Sequence, residues 1–211
     1  GVQSTMKIKD TYISFTGELT IGKFAFFMEL DSSGVELEID SLAEQIIHFP
    51  RVVIFGNEVF DQKDDIAKLI KKTTKVNTNI IFDIYTIGET KPVRITNMDN
   101  INYYVVVRLK ASGVSYERRV KENVLNFYNN MKNSVFLFYV NNQDDIDEAN
   151  LIIQEFTLKK SKVTIAMNHH VSDSELELLL KVCKRNGYNF SINFKNIFWP
   201  LIGKTKEEKD E

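Results

Sequence analysis

The chain reads as an α/β protein built on a mostly parallel sheet, and two observations predict this class. From about residue 24, short apolar, β-branched runs alternate with amphipathic stretches, the pattern of repeated β-α units. Most of those apolar runs lack polar alternation, as strands covered on both faces do. The expected strands are Phe24–Leu30, Arg51–Phe55, Asn79–Tyr85, Tyr103–Leu109, Ser134–Val140 and Lys162–Met167. About six β-α units are too few for a closed eight-stranded barrel, so a partial (β/α)6 barrel or an open sheet is expected.

Helices are expected between the strands at Ser41–His48, Lys63–Thr73, Glu117–Met131, Asp144–Phe156 and Ser172–Arg185. The acid pairs Asp64-Asp65 and Asp144-Asp145 fall in first turns, where carboxylates offset the helix dipole, and His48 suits a helix C-terminus. Ser172 with Glu175 three positions on is a capping-box signature, and Asn186-Gly187 supplies a stop. The connection from Gly88 to Asn102 contains Pro92 and several asparagines, so little helix is expected there. Cys183 falls on the apolar side of the last helix as a core residue.

At 211 residues, 43% hydrophobic and 27% charged, the chain suits one domain that needs neither disulfide nor structural metal. That domain is read as residues 6–203, with 1–5 ahead of Met6 as a cloning scar and 204–211 as a disordered charged tail. A single cysteine permits no internal disulfide and no thiolate metal cage, which agrees with a reducing compartment and a cytoplasmic location. The longest apolar runs, such as Phe24–Met28, are too short to cross a bilayer, so no membrane association is expected. A net charge of −2 gives no basic field, and nucleic acid is not an expected partner. The lysines of 68–75 and 159–162 read as solvated faces. There is no Gly-rich phosphate loop, no Gly-x-Ser-x-Gly elbow and no His-Glu-x-x-His pair.

In parallel α/β folds, chemistry gathers at the carboxyl ends of strands. The second expected strand runs into Gly56-Asn57-Glu58-Val59-Phe60, the third carries Asp83, and Arg108 and Lys110 lie at the end of the fourth. His169 follows the sixth strand beside His170. Adjacent histidines seldom face one ion, so they read as a polar loop with no metal set. With Glu18 from upstream, the ligand-binding candidates are Glu18, Gly56, Asn57, Glu58, Asp83, Arg108, Lys110 and His169; no residue is assigned a catalytic or metal-ligating role.

Gly56-Asn57-Glu58-Val59 resembles the Gly-Gly-Glu-Pro motif of radical-SAM proteins, whose backbone and carboxylate hold the methionyl amino group of S-adenosylmethionine. Ser14-Phe15-Thr16-Gly17-Glu18, Ile21-Gly22-Lys23 and Phe24-Ala25-Phe26-Phe27 resemble the opening of 7-carboxy-7-deazaguanine synthases, where Gln-Gly-Glu-Gly precedes the first barrel strand. Leu109-Lys110-x-Ser112-Gly113-Val114-x-Tyr116-Glu117-Arg118-Arg119 resembles the stretch after that family's fourth strand. The resemblance spans residues 11 to 200 and implies a radical-SAM-like partial barrel, a homodimer, and S-adenosylmethionine as the ligand to test.

The departures decide what function to expect. Radical-SAM chemistry needs three thiolates on one loop to hold an iron–sulfur cluster. Where the family carries Cys-x-x-x-Cys-x-x-Cys, this chain reads Asp31-Ser32-Ser33-Gly34-Val35-Glu36-Leu37-Glu38-Ile39-Asp40, without a soft ligand. Asp40-Ser41 stands where the family's Asp-Thr helps to hold magnesium, and a helix N-cap explains the same pair. Asn57 and Val59 replace a glycine and a proline, Asp83-Ile84-Tyr85-Thr86-Ile87 replaces Glu-Thr-Asn-Gly-Thr, and Val106-Val107-Arg108 replaces Ser-Pro-Lys.

The expected function is therefore a cluster-less pseudoenzyme acting as a binding or interaction protein, with no cofactor and no radical chemistry. Its expected partners are another protein, a second copy of itself, or a small molecule. The alternative is a non-radical enzyme acting on a nucleotide or S-adenosylmethionine-like ligand at the barrel mouth, linked to 7-deazaguanine metabolism. A third reading is an assembly role, with Phe198-Trp199-Pro200 as an apolar docking terminus. Glu58 separates ligand site from relic: Glu58→Gln should weaken an amino-bearing ligand at constant stability if the site persists, and should alter stability if it does not.

Overall fold

The computed structural model describes residues 3–95, 99–168 and 172–193. β1 (Thr5–Phe15) pairs antiparallel with β2 (Phe24–Leu30), and β3 (Val35–Glu38) pairs antiparallel with the other edge of β1. The chain then alternates through α1 (Ile39–Ile46), β4 (Arg51–Gly56), α2 (Lys63–Val76), β5 (Ile81–Thr86) and β6 (Ile101–Val106). It continues through α3 (Tyr116–Arg119), α4 (Glu122–Asn129), β7 (Ser134–Val140), α5 (Gln143–Glu155), β8 (Val163–Met167), α6 (Asp173–Asn186) and β9 (Asn189–Ile192). The nine strands lie in the order β3-β1-β2-β4-β5-β6-β7-β8-β9, and every pair from β2 to β9 is parallel. β3 and β9 are the two edges, so among the described residues the sheet is not closed into a barrel.

This sequential order fixes which face carries the helices. Right-handed crossovers that always step in one direction leave every helix on the same side. Phe26, Met28, Val52, Ile54, Phe82, Ile84, Phe136, Phe138 and Ile165 alternate along their strands toward that side and meet Leu42, Ile46, Leu69, Leu125, Ile152 and Leu179 in one continuous core. The opposite face holds a smaller apolar group, Ala25, Phe27 and Val53, bordered by Tyr12, Phe55 and Tyr85. It also carries Arg51, Asp83 and Asn102 within its strands, although continuous apolar runs had predicted two apolar faces.

Phe24–Leu30 and Ser134–Val140 coincide with the expected strands, and the other expected strands differ by one to three residues at their ends. The six expected parallel strands become seven with β9, and β1 and β3 extend the sheet further. β1 begins at Thr5, whose neighbour Ser4 accepts the Ile39 N–H at 2.9 Å, so the ladder starts one residue ahead of the boundary read at Met6. The helix expected over Glu117–Met131 is broken: Val120 is extended between α3 and α4, which turns its side chain into the core. Arg119 is then pinned by Glu148 at 2.7 Å and by the carbonyls of Arg108 and Val114. Ser172 and Glu175 form the expected capping box, and Gly187 ends α6 in the left-handed region at φ 75°. Asp64, Asp65, Asp144 and Asp145 occupy first turns as expected. The segments 88–95 and 99–100 contain no helix. Among the described residues no helix is long and apolar enough to cross a membrane. His169, His170, Phe198-Trp199-Pro200 and the charged tail lie outside the described residues.

Candidate functional site

The carboxyl ends of β2, β4, β5 and β6 form one rim, and the chain's own groups satisfy much of it. β4 ends at Gly56 with φ 142°, where a Cβ would stand 2.1 Å from the Leu30 carbonyl oxygen of the neighbouring strand. Only glycine allows the two strands to stay paired there. The backbone then turns through Asn57 and presents Glu58, which is 6% exposed. One Glu58 carboxylate oxygen accepts from Phe60 N at 3.2 Å and Thr86 Oγ1 at 2.7 Å, and the other accepts from Glu89 N at 2.7 Å and Thr90 N at 3.0 Å. Glu58 thus binds the loop after β5 to the turn after β4. Its four acceptor directions are filled by donors of this chain.

Glu18 is occupied in the same way on the face away from the helices. It sits between β1 and β2 at φ 55°, a left-handed conformation that non-glycine residues adopt at a cost, and is 3% exposed. Its carboxylate accepts from Tyr85 Oη at 2.8 Å and Tyr139 Oη at 3.2 Å, tying the β1–β2 connection across to β5 and β7. Burial first, and the Glu18 charge second, push both tyrosine hydroxyls well above their ordinary range, so both remain donors. Tyr85 stacks on Tyr104 with ring centroids 4.7 Å apart.

Asp83, expected at the rim, lies instead within β5. It pairs with Arg51 at 2.6 Å and accepts from Asn102 Nδ2 at 3.0 Å, and at 2% exposure it is a buried structural ion pair. β5 runs from Ile81 to Thr86, which leaves Asp83 three residues short of its carboxyl end and puts Ile87–Thr90 at the rim. Lys110 contributes its backbone N–H to both Glu148 oxygens, at 2.8 and 3.1 Å, while the residue itself is exposed.

Arg108 reaches Glu89 with Nη2 at 2.7 Å, and Arg118 reaches the same oxygen with Nε at 2.9 Å. Burial alone would raise the Glu89 carboxyl, but the two guanidiniums outweigh it and hold the group below its ordinary value. These residues border a cleft of about 270 Å³ that also meets Leu30, Asp31, Ser32, Asn57, Glu58, Asp61, Gln62 and Ile87. Of the eight candidates, the cleft gathers Asn57, Glu58 and Arg108; Gly56 lines a separate cavity of about 260 Å³ with Phe55, Tyr85 and Tyr139. His169 lies outside the described residues.

Sequence reasoning passed over Glu89, Asp61 and Arg118. Glu89 stands four positions past the expected end of the third strand, in the loop that forms the rim, and Arg118 adjoins Arg119 with no signal in the sequence to separate the two.

The segment at the position of a cluster loop does not suit a cluster. Asp31 accepts from Ser33 N and Ser33 Oγ at 2.9 and 2.8 Å, Gly34 packs against the Ile8 backbone, and Val35–Glu38 are paired with β1. Its side chains are carboxylates, hydroxyls and aliphatics, none able to stand in for thiolate. Glu58, with its acceptors filled, does not suit an added ammonium group either. No protein-family model matches the chain, and no curated protein does.

Proposed function

We propose that this chain is a cluster-less, radical-SAM-like protein with a partial-barrel architecture, resembling 7-carboxy-7-deazaguanine synthases, that works by binding and not by radical chemistry. The observation that carries this reading is the use of Glu58. The carboxylate that the resemblance assigns to the methionyl amino group is filled by four donors of its own chain. Two further observations support it. The segment aligned with the cluster loop is committed to a turn and a β-ladder, and Glu18 is latched by Tyr85 and Tyr139.

An interaction role is supported by the end of the β1–β2 hairpin. Ile13, Phe15, Ile21 and Phe24 are 47–59% exposed within twelve residues, a concentration of apolar surface of the kind that marks protein contacts. The test is anaerobic expression with iron and sulfide, followed by reconstitution and absorption spectroscopy. The expected result is no stoichiometric cluster and no 5′-deoxyadenosine from S-adenosylmethionine under reducing conditions. A stoichiometric cluster would overturn the reading.

A further inference from the structure

We propose that the groove beside α4, at the amino ends of β6 and β7, docks an extended acidic peptide of a partner protein. The inference goes beyond the reading above: it concerns the end of the sheet opposite the rim and stands whether or not a cluster forms. Its origin is a gap in the helix layer. Among the described residues, every crossover between neighbouring parallel strands carries a helix except β5 to β6, where 88–95 and 99–100 contain none. A cavity of about 910 Å³ opens there between that segment and α4, against about 270 and 260 Å³ for the two cavities at the rim.

Charge sets the sign of the occupant. Three cations, Lys91, Arg94 and Lys132, line the groove against one carboxylate, Asp99, in a chain whose net charge is −2. Arg94 makes no hydrogen bond or ion pair among the described residues. Lys132 stands 3.9 Å from Asp99 with both side chains at least 85% exposed, a pairing that holds little energy. Lys91 lies over the Phe127 ring at 5.7 Å, which leaves its ammonium donors open to an acceptor. All three cations can therefore turn to carboxylates of a partner.

The remaining walls point to a peptide. Asn123, Asn126 and Asn130 follow one another at spacings of three and four along α4 and its C-terminal end, and so share one face. The side chains of Asn123 and Asn126 make no hydrogen bond among the described residues, and Asn130 uses only Nδ2, on the Asn126 carbonyl at 2.9 Å. A side-chain amide offers donor and acceptor together, as each residue of an extended backbone does, whereas a helix has satisfied most of its own backbone groups and a phosphate oxygen only accepts. Ile95, Phe127 and Met131 are half-buried along the same groove and give apolar side chains of the peptide a surface to pack on. A nucleic-acid strand depends on many phosphate contacts, more than three cations beside a carboxylate supply.

Selection of short random displayed peptides on the full chain, followed by fluorescence polarisation of the enriched sequences, tests the proposal. The enriched peptides should combine Asp or Glu with apolar residues and should bind more weakly as salt is raised. Arg94→Glu together with Lys132→Glu, both on exposed side chains, should weaken them at least about tenfold, a loss of about 1.4 kcal/mol, at unchanged thermal stability. Asn126→Ala should weaken them severalfold with the salt dependence unchanged, which separates the amide contacts from charge. Failure to enrich any sequence, enrichment of basic or uncharged peptides, or indifference of acidic ones to the charge reversal would overturn the site. Tighter binding of an oligothymidylate at the same groove would overturn it in favour of nucleic acid, and equal binding of a synthetic peptide of residues 204–211 would overturn the partner in favour of the chain's own tail. None of these outcomes depends on reconstitution of a cluster, so this inference and the reading above fail separately.

Discussion

Replacing Glu58 by glutamine removes one acceptor oxygen and adds two N–H donors where donors already point. Whichever way the amide is turned, two of the four donors lose their partner: either Phe60 N and Thr86 Oγ1, or Glu89 N and Thr90 N. The second pair is nearer solvent, so the amide nitrogen should settle there. A hydrogen bond to a charged group contributes about 1.5–3 kcal/mol, and a donor left unsatisfied costs about 1–3 kcal/mol when buried. Water can reach the half-buried Glu89 and Thr90 amides, so the low end applies to each, and the sum is about 3 kcal/mol. For a domain of this size 1 kcal/mol moves Tm by roughly 2–4 °C, so Glu58→Gln should lower Tm by about 6–12 °C. Thermal and urea unfolding followed by circular dichroism measure this, with an unchanged m-value showing that the denatured state is not responsible. A Tm within 2 °C of the parent would refute the reasoning and return Glu58 to the list of groups free to bind a ligand.

Three further outcomes follow from the geometry. Asp83→Ala leaves Arg51 buried without a counter-charge and should cost about 3–5 kcal/mol in urea unfolding, whereas the apolar pair Arg51→Met with Asp83→Leu should lie within about 1 kcal/mol of the parent; equal losses in the two would contradict the buried-pair account. Gly56→Ala drives a Cβ to 2.1 Å from Leu30 O at φ 142° and should abolish soluble folded protein, while Gly113→Ala, left-handed but with nothing within 4 Å, should cost about 1 kcal/mol; soluble expression of both decides this. Burial pushes the Cys183 thiol up to about 11. At pH 8 about one native thiol in a thousand is ionised against roughly a quarter in the unfolded chain, so disulfide-exchange labelling should be at least about a hundredfold slower in the native state and rise about tenfold per pH unit up to pH 10. Equal rates would mean that the last helix opens freely.

The parallel core was legible because its strands are runs with an apolar residue on the helix side at every second position, as in Phe24–Leu30 and Ser134–Val140. β1 was missed because Thr5–Phe15 mixes lysines with isolated hydrophobics, as a strand does when its faces are unequally covered, and β3 because it is only four residues long and all four are exposed. The site was legible only as far as strand ends were. Glu58 was found through its glycine, yet three of its four hydrogen bonds come from residues 28 to 32 positions away, which no local pattern reports. Asp83 lies inside both the expected and the observed strand, and its partner Arg51 stands 32 positions away, so no local pattern set it apart from the rim as a buried ion pair.

The sequential strand order also sets the route by which the chain assembles. Each parallel strand from β5 onward docks beside the one made just before it, so the central sheet can grow in the order of synthesis, one loop closure at a time. The Glu18 latch is different. Its bond to Tyr139 spans 121 residues and must wait until β7 is in place, long after its bond to Tyr85 can form. A chain halted before Tyr139 would hold the β1–β2 connection by one tyrosine, and the arrival of the second marks the point at which the early hairpin becomes fixed to the middle of the sheet.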